Sequence, residues 1–117
     1  MQRKTVRSYI LNIGLTVNGI EPEGQLSKTL EATGFADRKD YKAVKRQWKG
    51  KPENSVALRV EGEPHIMEKR LQNLCKKLNQ NAIAVFDTVS RAGFMVYSPD
   101  YQGERYKWDA NYFNWDY

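Results

Sequence analysis

Residues 9–17 read YILNIGLTV and place Tyr9, Leu11, Ile13, Leu15 and Val17 at every second position. That spacing lines one face of a β-strand. Asn12, Gly14 and Thr16 interrupt the apolar run, so it is too broken for a secretory signal core and too short for a membrane helix. Asn18-Gly19 closes the strand with turn chemistry.

The other elements follow from this strand. EGQLSKTLEATGF reads as a short helix, with Leu26 and Leu30 on one face and Gly34 as its left-handed stop, followed by Phe35. YKAVKRQW and SVALRV then form a hairpin, with KGKPEN read as its loop. Glu63-Pro64 opens a longer helix whose Ile66, Met67, Leu71, Leu74, Cys75 and Leu78 make an apolar stripe. AIAVFD and GFMVY are two further strands around the turn TVSRAG. This order predicts an α+β, ferredoxin-like β-α-β-β-α-β fold with an additional C-terminal strand and sheet order 5-4-1-3-2. Both helices would cover one sheet face. The other face, with Ile10, Ala82, Ala84, Phe86, Met95 and Tyr97, needs a separate cover.

The chain has 117 residues, the length of one ordinary domain. Residues 1–100 are expected to form that domain, and 101–117 an aromatic tail docked on it or on a twin subunit. Of the last seventeen residues, YQGERYKWDANYFNWDY, seven are aromatic, enough to bury a bare sheet face. Trp108, Tyr112, Phe113 and Trp115 are the residues expected to dock or to bind a partner. Residues 1–100 carry 17 Lys and Arg against 11 Asp and Glu, whereas the tail is net −1. The basic body favours an anionic partner without specifying one.

No motif for a known chemistry is present. The only histidine, His65, lacks HxH or HExxH spacing, and the only cysteine, Cys75, lies in the apolar helix stripe and reads as core. There is no GxxxxGK[ST] or GxGxxG phosphate loop. Asp37, Asp40, Asp87, Asp100 and Asp109 are scattered and read as surface carboxylates, not as Mg²⁺ ligands. No metal or cofactor is expected.

The basic hairpin is the charged surface that stands out. Lys42, Lys45, Arg46, Trp48, Lys49 and Lys51 combine cations with a flat ring, which suits phosphates and bases of a nucleic acid. The same lysines on an edge strand discourage sheet-to-sheet aggregation. SVALRV lacks the aromatic signature of an RNA-recognition motif.

Tyr9, Leu11 to Leu15, Gln80, Ala82 to Val85, Gly93 and Trp108 to Trp115 together resemble small uncharacterised phage and prophage accessory proteins. The resemblance implies a protein of a mobile genetic element and supplies no catalytic residue. The leading expectation is therefore a non-enzymatic interaction protein, cytoplasmic and not membrane-bound, that binds a host protein or nucleoprotein, as an inhibitor of a host or defence system would. A homodimer fits the aromatic tail. The alternatives are a nucleic-acid-binding module using the 38–51 hairpin, and a small-ligand or nucleotide binder.

Overall fold

In the computed structural model the described residues are 6–16, 20–36, 41–48 and 50–105, with Trp48 described by its backbone alone. Seven elements follow in chain order: β1 Arg7–Gly14, α1 Gln25–Ala32, β2 Tyr41–Trp48, β3 Lys51–Gly62, α2 Pro64–Lys77, β4 Ala82–Asp87 and β5 Gly93–Tyr97. The strands form one antiparallel sheet in the order β2-β3-β1-β4-β5. Read from its other edge, that order is 5-4-1-3-2. The fold is thus α+β, a five-stranded antiparallel sheet with two helices.

The alternation of residues 9–15 decides how the layers pack. Tyr9, Leu11, Ile13 and Leu15 join Val56, Leu58, Ile83, Val85 and Val96 in one core cluster. From the helices, Leu30, Met67, Leu71, Cys75 and Leu78 enter the same cluster, so both helices lie on that face. Of the stripe expected on α2, Ile66 stays 40% exposed; it sits in the first turn, at the margin of the buried face. Ile10, Ala57 and Phe86 form a second cluster on the opposite face, with Val44 packed against it. Register places Ala84, Ala82, Met95 and Tyr97 on this side too, since Ile10 pairs with Phe86 and Ala82 with Tyr97.

Each helix ends in a left-handed residue that satisfies orphan carbonyls. After α1, Gly34 (φ 78°) donates to Glu31 O and Phe35 to Leu30 O. After α2, Asn79 (φ 54°) donates to Lys76 O and Gln80 to Cys75 O. Both are Schellman stops, and Phe35 packs on the core as its position implied.

One boundary matters for function. KGKPEN reads as a loop in sequence, yet β3 begins at Lys51 and Pro52 pairs with Gln47. Pro52 has no ladder N–H to give, but β3 borders β2 only there, close to its first residue, where proline is tolerated. Glu53 and Asn54 thereby become strand residues of fixed direction.

Candidate functional site

β1 leaves the sheet beside the start of β3, and Leu15 N donates to Asn54 O at 2.7 Å to prolong the ladder. Thr16, Glu21, Lys45, Pro52, Glu53 and Asn54 line a cleft of about 330 Å³ at this end. Glu53 is its chemically distinct group. Thr16 Oγ1 donates to Glu53 Oε1 at 3.3 Å, while burial raises the carboxyl's pKa above the ordinary value and outweighs that hydrogen bond. Gly14 makes the arrangement possible, because a Cβ at that position would collide with the Glu53 carboxyl. Asn54 Nδ2 donates to Glu21 Oε2 at 2.7 Å and ties the segment before α1 to the rim. From below, Gln80 Nε2 reaches Thr16 O at 3.4 Å.

A desolvated carboxyl facing an open polar cleft is the arrangement that proton transfer or cation binding requires. In water it would ionise without cost. Here its ionised form is poised to gain from a positive ligand that replaces the lost hydration. Among the described residues that line the cleft, Lys45 supplies the positive charge.

A second hollow of about 270 Å³ lies between α2, the end of α1 and β3, over Leu11, Met67 and Leu71 with Arg70 and Lys77 at its rim. Its charged side chains, Glu61, Arg70 and Lys77, are exposed at the rim. It is the less chemical of the two.

The residues singled out in sequence fall as follows. Lys42, Lys45 and Lys51 are exposed and Arg46 half-buried on the β2–β3 hairpin, whose β2 is the edge of the sheet. Lys42 and Arg46 share the face of Val44, and Lys45 alternates away from them and lines the cleft. The set is therefore divided between two surfaces. Burial lowers the pKa of Arg46. Lys49, Trp108, Tyr112, Phe113 and Trp115 lie outside the described residues, as does the Trp48 side chain. Cys75 is buried, its Sγ donating to Val96 O at 3.6 Å, and burial pushes its pKa up to about 12. Its thiol is inert core. His65 is exposed, with Nε2 3.2 Å from Glu63 Oε2 at the start of α2. Asp87 organises the β4–β5 turn. Burial opposes its ionisation, but Val89 N–H, Arg7 and Ser90 N–H together hold its pKa below the usual value.

Sequence reading missed Glu53 and Thr16. A carboxylate in a stretch rich in Lys, Gly, Pro and Asn has the signature of a solvated loop. The missed signal was the glycine in β1: an interior strand glycine marks a close approach by another group, and the approaching group is the Glu53 carboxyl.

A small α+β protein with its helices on one sheet face and a desolvated carboxyl in an end cleft is the class these features define. Among solved structures the chain is similar to a phage SAM lyase in complex with S-methyl-5′-thioadenosine, at 14% identity and a TM-score of 0.51, covering 87% of this chain and 98% of that one. No family model matches the chain, and no curated protein matches it in sequence. The shared fold is that of an enzyme from a phage, which corrects two expectations: that the protein is a non-enzymatic interaction protein, and that it is not an enzyme. Both rested on the absence of contiguous catalytic motifs. Glu53 and Thr16, 37 positions apart, show why that absence is uninformative, since the cleft is assembled from separate strands. Among the described residues no helix is long and apolar enough to cross a membrane.

Proposed function

We propose that this chain is an enzyme that binds and cleaves an adenosyl sulfonium such as S-adenosylmethionine, with the cleft at the β1–β3 end as its site. Its build is read as a ferredoxin-like core extended by β5. The observation that carries the reading is Glu53, a carboxyl desolvated by the fold and left facing a cleft large enough to admit part of a nucleoside-sized ligand. The similarity to a SAM lyase supports the choice of substrate.

The chemistry fits a carboxylate that needs a cation. The substrate carries a sulfonium and an ammonium against one carboxylate, a net charge of +1. Ionised Glu53 attracts either cation, and in a dehydrated cleft that attraction is much stronger than in water. Thr16 holds the carboxyl in place. In the cleavage the bond between sulfur and the amino-acid γ-carbon breaks, and its electron pair stays on sulfur to give neutral methylthioadenosine. Because a lyase adds no water, the γ-carbon takes a pair from its own molecule, either from the carboxylate to close a lactone or from an adjacent C–H bond to form an alkene with loss of a proton.

The test incubates the purified chain with S-adenosylmethionine and follows methylthioadenosine by liquid chromatography. Mass spectrometry of the four-carbon product distinguishes a lactone from an unsaturated amino acid. Release of methylthioadenosine by the chain, reduced at least about 100-fold by Glu53→Gln, is the expected result. No release, together with no binding of methylthioadenosine, would overturn the proposal.

A further inference from the structure

The sheet face opposite the helices is buried without them. Ile10, Ala57 and Phe86 are 3–5% exposed, and Asn12 on the same face is 6% exposed. Neither Asn12 Nδ2 nor Oδ1 has a hydrogen-bond partner among the described residues. Its cross-strand neighbours, Ala57 and Ala84, have no side-chain polar atoms to offer. A buried amide left unpaired is destabilising, so whatever covers this face must bring polar atoms as well as apolar area. Already at its β5 edge the chain turns back over the face: Tyr101 stacks on Tyr97 with ring centroids 5.3 Å apart, and the Arg105 guanidinium lies 5.2 Å from the Tyr97 ring centre.

We propose that residues 106–117 continue from Arg105 across this face of their own subunit, closing the second core and supplying the partner of Asn12. Reach permits it. Twelve extended residues span about 40 Å, whereas the outer strands of a five-stranded sheet lie about 20 Å apart. Chemistry matches as well. The segment YKWDANYFNWDY contributes six aromatic rings, and its Asn111 and Asn114 amides and its indole N–H groups are the donors and acceptors Asn12 lacks. Lys42, Arg46 and Arg59 share this face by register, alongside Glu53 and Glu61, and Arg91 lies over the Phe86 ring, which leaves the cations in excess. Against this cationic border the segment brings Asp109, Asp116 and ring faces, which attract guanidinium and ammonium groups. By register Glu53 lies at one end of this same face, across from Arg46; the inference does not depend on the lyase reading, because its readout is the burial of the tail and not turnover.

The experiment uses the full chain carrying Trp48→Phe, so that Trp108 and Trp115 are its fluorophores. Expected are blue-shifted emission and acrylamide quenching several-fold weaker than for a free 106–117 peptide, both unchanged on dilution while light scattering reports a monomer. Peptide-like quenching would overturn the proposal, and so would protection lost as a multimer dissociates, which would assign the tail to a twin subunit. A second variant, Trp108→Ala with Trp115→Ala, leaves every described residue intact. It should lower Tm by several degrees and admit a hydrophobic dye, and unchanged Tm with no dye binding would count against docking. Asn12→Leu should lower Tm because it removes a satisfied amide; a rise would show that the amide has no partner and would overturn that part of the proposal.

Discussion

Two carboxyl groups of this protein have opposite relations to their surroundings, and the difference separates the residue proposed to meet the substrate from a structural one. Burial raises the pKa of Glu53, so the fold favours its protonated form. Its contribution to stability is full below the unfolded-state pKa and fades as pH rises through the folded value. Ionised Glu53 is therefore a cost at neutral pH, and Glu53→Gln should leave Tm equal or higher at pH 7 while turnover of the sulfonium falls at least about 100-fold. Scanning calorimetry beside the chromatographic assay checks both halves. Gly14→Ala should give a related phenotype, because the atom it meets is the far end of a flexible side chain: the carboxyl moves, turnover drops, and most of the stability remains. Asp87 behaves the other way. Its pKa is depressed by Val89 N–H, Arg7 and Ser90 N–H despite the opposing effect of burial, so its contribution is present above the unfolded-state pKa and lost as pH falls through the folded one. Asp87→Asn should cost about 1–3 kcal/mol at pH 7 and almost nothing at pH 2, as read by urea titration at the two pH values.

At the scale of elements, the periodicities that sequence exposes are those that decide burial. The period-2 run of residues 9–15 could be read because β1 is central, with β3 and β4 on either side and one face against both helices. The stops of α1 and α2 were legible because a left-handed residue must follow a helix that ends in a Schellman turn, and Gly34 and Asn79 are residues that accept that backbone. What escaped was the hairpin between β2 and β3. Gly50 takes φ 78°, so the turn is far tighter than six residues of loop chemistry suggest, and Pro52 is absorbed into the strand. The stripe on α2 was likewise too inclusive, since it counted Ile66 equally with Leu71. The two differ sharply in place: Leu71 is 3% exposed and Ile66 40%. Leu71→Ala should destabilise by about 2–5 kcal/mol and Ile66→Ala by about 0.5 kcal/mol or less, measured by denaturant midpoint. Equal effects would mean that the stripe packs as sequence alone suggests.

For the whole molecule, the legible and illegible parts divide along contact range. Local pattern gives elements, and alternation gives their faces. A site made where β1, β3 and the segment before α1 converge depends on register, and register places Glu53 beside Gly14 only once β3 is extended back to Lys51. The same convergence makes the cleft a property of the folded chain and couples its occupancy to global stability. A ligand that binds the folded state alone stabilises it by about 2.7 kcal/mol at 100 times its Kd. For a chain of 117 residues, an unfolding entropy of about 2 cal/mol/K per residue converts this to a Tm rise of about 10 °C. Methylthioadenosine at that excess should therefore shift a single cooperative transition upward by about that amount. S-adenosylmethionine should shift it more strongly above the pKa of Glu53 than below it, because the ionised carboxyl is what meets the cation, whereas neutral methylthioadenosine should show little such pH dependence. In Glu53→Gln the pH dependence should vanish for both ligands. A shift of equal size for both ligands at every pH would place the nucleoside in the cleft but remove Glu53 from recognition of the charge.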